Sequence, residues 1–503
     1  MQKSSIQPLL QAGIIVGTSL LLGILFTYLF YEKAIGISAT LFVVSILAGL
    51  AVIATALRRS LHAKLVFLIV PLLFFSSMLF VRASDFLTVL NSIAVILLLL
   101  LIAQNAFSDK LQNFTLRDYF TTMFLPMHFT LPFAHTLADI LTLRGLDKDQ
   151  DTIHHIKKGI LITIPIFSVF FILLSSADSI FKKYFGTLSL FHPSQEMFSL
   201  LSLTTVVSAV FIGAYTYIIR QSSYPSLQTL SQNRTFGIIE SSILLGSLNL
   251  LFFTFILIQI TYLFGGEGTV ASQGFTYAEY ARNGFFQLIA VAILSFIVLL
   301  STEKYIVKQG SHHSIAFTTS STILIAQVFV IMISAHTRLS LYESAYGFTT
   351  LRLYSHTFIC VLIAIFIALL FKIYQRLNDV HFSQYIIIFG AVFLMGMNLL
   401  NPDDFIARKN MDRYAQTKTI DSHYLASLSD DALPTSILFL SLATQKEANE
   451  YASTLYPHAL KITQSPYFSG WQSFHLARTQ SKPLIDKHFE ELTRRNDMHW
   501  NNH

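Results

Sequence analysis

Residues 335–354 read AHTRLSLYESAYGFTTLRLY. On either side lies an apolar run, 314–334 and 353–371. Each run has the roughly 20 residues a helix needs to cross the hydrocarbon core of a bilayer. A stretch holding Arg338, Glu343 and Arg352 between two such runs reads as a connection between membrane spans, because ions are costly inside lipid and collect where the chain leaves it. Tyr342, Tyr346, Gly347 and Tyr354 share the stretch, and Gly347 suits a tight turn.

Nine more runs of similar character flank this pair, at 9–30, 37–57, 65–81, 86–103, 159–177, 200–219, 236–264, 285–302 and 382–400. They are continuous rather than alternating, which predicts helices and not a barrel. The expected fold is all-α: a polytopic transmembrane helix bundle of eleven spans over residues 1–400, followed by a small helical extramembrane tail, 401–503. Composition agrees. The 503 residues are 53% hydrophobic and 12% charged, against about 25% charged in soluble domains. With 45 Phe and 2 Trp, any interfacial aromatic belt rests on the 21 Tyr. The first run is too long for a signal-peptide core and is expected to stay as a span.

With the N-terminus inside, the inner segments carry 16 Lys and Arg and the outer loops 7, which fits the positive-inside rule. An odd span count then puts the tail outside. The net charge of +6 is spread over loops, so nucleic acid is a poor partner and the lipid bilayer is the expected one, with other membrane proteins as further candidates. The lone Cys360 excludes an internal disulfide or a cysteine-based metal site.

The inner loop 104–158 is apolar but broken by Pro126 and Pro132. It either lies along the surface as amphipathic pieces or dips in as a re-entrant hairpin covered by protein. In the tail, Asp421 and Ser422 look like a helix start, Ser429 to Asp431 like a cap for ALPTSILFLSLA, and TQKEANEYASTLYP like one exposed helix.

The charged groups that share the outer face form the candidate site: Glu279 with Arg282, then Arg338, Glu343 and Arg352, with Tyr346 and Gly347 beside them, and Asp403, Asp404, Arg408 and Arg413 beyond the last span. Their plainest role is pairing with one another to lock spans together. The sharper role is an anion or ligand pocket. His336 and His356 flank the stretch as proton-sensitive candidates. The pairs His154–His155 and His312–His313 read as solvated loop residues, and His128, His135 and Asp139 lack a fourth ligand and a continuous helix. No metal, cofactor or catalytic residue is indicated. No phosphate loop, serine elbow or zinc helix appears. The sequons at Asn113 and Asn233 lie inside and read as chance matches, and Gly13–Gly17 reads as a helix-packing pair. Glu240, Asn249, Gln259 and Asp178 are the polar groups a transporter would use, but mid-span positions are otherwise apolar.

At YAEYARNGFFQLIAVAIL, SLYESAYGFTTLRLY and NPDDFIARKNMDRY with DSHYLASLSDDALP, the chain resembles a family of bacterial polytopic membrane proteins, domain of unknown function 4173. The resemblance implies a bacterial cytoplasmic membrane location and supplies no activity or substrate. The expected role is therefore a non-enzymatic sensor, assembly or scaffold protein with an outward polar site, the alternative being a transporter or permease.

Overall fold

The computed structural model describes residues 3–141, 195–220, 238–263, 285–305, 311–375 and 377–501. Among them, ten helices are long and apolar enough to cross a membrane, and each coincides with an expected run. The expected span at 159–177 lies outside the described residues. The helices are helical for the reason lipid imposes: every backbone amide must find its partner within its own segment. Hydroxyls in the spans follow the same rule by bonding the carbonyl one turn back, as Ser295 does to Val291 at 2.7 Å and Thr302 to Val298 at 2.7 Å. Large apolar side chains stay outward, with Leu250 68% and Leu21 69% exposed, which only a lipid solvent tolerates at this frequency.

The chain divides into two compact units. The first comprises Met1–Asn113, Arg117–Ser226 and Leu460–Lys482. Its helices are α1 (Lys3–Phe30), α2 (Ile37–Ala56), α3 (Val66–Val81), α4 (Asp85–Asn105), α5 (Leu116–Thr122, from Arg117 onward), α6 (Thr130–Leu141) and α7 (Gln195–Arg220). α1 and α7 approach at Gly23, where a Cβ would sit 2.6 Å from the Thr204 carbonyl oxygen. α2 and α7 approach at Gly49, beside the Tyr215 hydroxyl, which donates to the Ile46 carbonyl at 2.9 Å. By contrast, nothing lies within 4 Å of a Cβ at Gly13 or Gly17, so the expected packing there is not made among the described residues.

Short helices occupy the described part of the loop after α4. α6 packs against α7 and α1, with the Thr136 hydroxyl bonded to Thr216 and Gly213 under Phe129. Leu131 of α6 and Met127 in the turn before it are exposed and apolar. One face is thus covered by protein and the other is left open. The tail segment of this unit seats on the α1–α2 connection, where Ala34 N donates to Tyr467 O at 3.2 Å and Ile37 N to Phe474 O at 2.9 Å.

The second unit comprises Phe114–Leu116, Leu227–Ala459 and Pro483–His503. It contains α8 (Ile238–Leu263), α9 (Phe285–Tyr305), α10 (Ser311–Tyr346), α11 (Thr350–Gln375) and α12 (Asp379–Leu400). The tail helices follow: α13 (Pro402–Thr417), α14 (Ser422–Ala426), α15 (Leu433–Ser436), α16 (Phe439–Leu442), α17 (Gln445–Gln464, as far as Ala459) and α18 (Leu476–Asn501, from Pro483 onward). α10 is central and packs on α8, α9 and α11, with Leu324, Ile325, Val328 and Ala335 fully buried against Ala292, Leu299 and Phe366.

In the tail, Asn401 adopts a left-handed φ of 54° and Pro402 starts α13, so the chain leaves the last span at the expected place. The Asp421 side chain caps α14 by accepting from Tyr424 N at 2.9 Å. Two expectations change. ALPTSILFLSLA forms two short helices rather than one, and Asp430 accepts or shares a proton with His458 at 2.6 Å instead of capping. TQKEANEYASTLYP is not an exposed helix: Ala448, Tyr451, Ala452, Leu455 and Ala459 are buried, at the spacing of one helix face. The Tyr451 ring meets Phe439 at 5.6 Å, and its hydroxyl donates to Ser436 at 3.0 Å.

The Glu447 carboxylate illustrates how the tail is tied. Burial pushes its pKa up, but hydrogen bonds from the Thr444 and Tyr414 side chains, the Thr444 amide and the charge of Lys418 outweigh it and hold it below its usual value. A depressed folded pKa contributes stability that is present above the unfolded carboxylate value of about 4.3 and is lost as pH falls through the folded one. The expected result is a thermal midpoint that drops between pH 5 and pH 3, with a shallower acid limb in Glu447→Gln. An unchanged limb in the variant would show the contacts to be inert.

Candidate functional site

A stretch that reads as a loop is mostly helix. α10 has no Pro or Gly between Ser311 and Tyr346, so it runs through the apolar segment and past Arg338 and Glu343 until it meets Gly347. Gly347 takes φ +83°, and its amide donates to the Glu343 carbonyl at 2.8 Å, the left-handed stop that glycine permits without strain. Two further residues complete a corner before α11 begins at Thr350.

A helix end leaves orphan backbone groups, and here the tail serves them. Asn410 of α13 accepts from Phe348 N at 2.8 Å and donates to Phe348 O at 2.8 Å. Arg413 donates to Ala345 O at 2.7 Å. The Tyr424 hydroxyl accepts from Thr350 N at 2.6 Å, and burial is the chief reason its pKa is raised. A Cβ at Gly347 would stand 2.7 Å from the Asn410 Oδ1.

Side chains of the corner form two groups. Arg352 donates to the Gly347 carbonyl, and its guanidinium lies 4.2 Å from the centre of the Tyr342 ring. Glu343 Oε2 lies 3.1 Å from His356 Nε2, and both side chains are mostly buried. His356 Nδ1 is in turn 2.9 Å from His336 Nδ1. A neutral imidazole carries one donor and one acceptor. If His356 Nε2–H donates to the carboxylate, its Nδ1 must accept from His336. Two Nδ1 atoms at this distance share one proton, and a second proton would set N–H against N–H and drive the rings apart. Glu343 Oε1 is buried and has no hydrogen-bond partner among the described residues.

Of the expected site residues, Glu343, Gly347 and Arg352 meet at the corner, Arg338 is buried at 8% exposure on α10, and Tyr346 is exposed beside Tyr342. Glu279 and Arg282 lie outside the described residues. Glu343 meets His356, and Arg352 donates to the Gly347 carbonyl. Asn410 and Tyr424 belong to the site although only their motifs stood out. Among the transporter candidates, Asp178 lies outside the described residues. Asn249 donates to the Ser320 carbonyl at 3.0 Å, and Gln259 accepts from the Ser334 hydroxyl, so both stitch α8 to α10.

A second ionic group went unnoticed in the sequence. Lys372 of α11 is 2% exposed, with its ammonium 2.6 Å from Glu303 of α9 and 2.7 Å from Asp379 of α12. The Phe382 ring lies 5.1 Å from the same nitrogen. Three helices are joined at one cation.

Spans that expose apolar faces, joined at polar corners, define a multi-pass helical membrane protein. The chain belongs to the family described as Domain of unknown function (DUF4153), whose model matches residues 69–437. The motifs had pointed to domain 4173, and the matched family is a different one of equally unknown function. No curated protein and no solved structure matches the chain.

Proposed function

We propose that this protein is a non-enzymatic sensor or assembly scaffold of a bacterial cytoplasmic membrane, with its N-terminus inside and its tail outside. The observation that carries the reading is the docking of α13 on the α10–α11 corner through both hydrogen-bonding groups of Asn410, one turn from the Glu343–His356–His336 chain. A second proton on the imidazole pair would part the rings and shift the corner against the tail. Arg338 and Arg352 are the charged neighbours on the same two helices, and Glu343 bonds His356 directly.

A solute permease is the less favoured reading. Mid-span polar groups Asn249 and Gln327 spend their amide donors on the carbonyls of the facing helix, at 3.0 and 3.1 Å. The cleft beside Gln259 and Ser334 measures only about 100 Å³.

Hydrogen exchange of residues 345–350 in nanodiscs tests the sensor reading. Exchange relative to the intrinsic rate at each pH is expected to rise several-fold from pH 7.5 to pH 5.5, and the rise is expected to vanish in His356→Gln. Equal protection at both pH values in the unsubstituted protein would sink it.

A further inference from the structure

The first unit holds a cavity of about 580 Å³ at the end of α1, bordered by the first turns of α7 and by the tail turn at Pro466 and Gly470. That size falls in the range of small-molecule sites, roughly 300–1,000 Å³. Two carboxylates border it, Glu32 and Glu196. Both are exposed, and neither has an ion-pair or hydrogen-bond partner among the described residues. Glu32 holds φ at 52°, a left-handed conformation that a non-glycine residue rarely adopts. Backbone strain of this kind is often kept at binding sites.

The walls are aromatic and already receive one ammonium. Tyr28 and Tyr31 line the cavity, and Lys33 Nζ lies 4.7 Å from the Tyr28 ring centre while donating to the Tyr28 carbonyl at 2.6 Å. Lys33 keeps two donors to spare. Toward the spans the lining turns apolar, with Ile24 and Leu200. Trp471, one of only two tryptophans, packs on Tyr28 at 6.4 Å and is half exposed, as interfacial tryptophans are. We infer that this cavity binds the ammonium group of a zwitterionic phospholipid headgroup. The ammonium faces Glu32 and Glu196 over the tyrosine rings, the phosphate faces Lys33, and the first acyl carbons lie on Ile24 and Leu200. Cations are drawn to such rings and to unpaired carboxylates alike.

The test uses the full chain in dodecyl maltoside micelles, with Trp500→Phe so that emission reports Trp471. Short-chain phosphatidylethanolamine is titrated, with free ethanolamine and short-chain phosphatidylglycerol as separate arms. Saturable quenching by phosphatidylethanolamine, weakened at least tenfold in Glu32→Gln/Glu196→Gln, is the expected result. Equal potency of free ethanolamine would keep the ammonium site and move its source to a soluble amine. No saturable response to either amine, or phosphatidylglycerol binding as well as phosphatidylethanolamine with no effect of the double substitution, overturns the inference. Both glutamates are exposed, so the variant is expected to fold, and elution as a single monodisperse peak checks that it does.

Discussion

Lys372→Met is expected to lower stability by about 3–5 kcal/mol, the cost of breaking a buried ion pair by removing one partner. The residue is almost fully enclosed, and its ammonium is the shared partner of Glu303 and Asp379. Removing it takes a counter-ion from the Glu303 carboxylate, whose side chain is 11% exposed, whereas Asp379 is 44% exposed and can turn to water. The loss should therefore fall mainly on the α9–α11 contact. Glu303→Gln in the same chain should recover much of it, because a neutral amide costs less to bury than a carboxylate that has lost its ammonium partner. Thermal stability in detergent, followed by retention of a monodisperse elution peak, measures both. Additive losses in the double variant would mean that the pair contributes nothing beyond its separate side chains.

Asn410→Ala is expected to cost about 2–4 kcal/mol, since it leaves both the amide and the carbonyl of Phe348 without partners at a part-buried corner. Asn410→Asp offers the control. It keeps the acceptor for Phe348 N and loses the donor to Phe348 O, so it should fall between the two. Protease sensitivity of the tail reads the outcome directly, because α13 is held to the corner by this residue and by Arg413. If cleavage of the tail proceeds at the same rate in all three proteins, the corner does not hold it.

Ten spans were legible because an apolar run of membrane length has few alternatives in lipid. The corner was legible only as a cluster of residue types. Arg338 and Glu343 suggested an exposed connection, since ions mark loops in a membrane chain. The helix nevertheless continues through them, because nothing between Ser311 and Tyr346 stops it. The partners of the corner lie far along the chain: Asn410 is 62 residues from Phe348, and Tyr424 is 74 from Thr350. No local period announces such bonds. Lys372 was hidden for a different reason. At the end of a long apolar run it counted as one more inward-facing positive charge, and its partner Glu303 is 69 residues away. The burial of α17 was not legible because alanines carry much of its buried face, and alanine weakens an apolar stripe without making it less packable.

The unbroken length of α10 has a mechanical consequence. Its 36 residues make a rod of about 54 Å, while the hydrocarbon slab is only about 30 Å thick. It must either lean or stand proud of the bilayer, and a rod without a joint cannot absorb a tilt along its length. Any displacement of its foot near Ser311 is delivered undamped to Tyr346, where the chain turns.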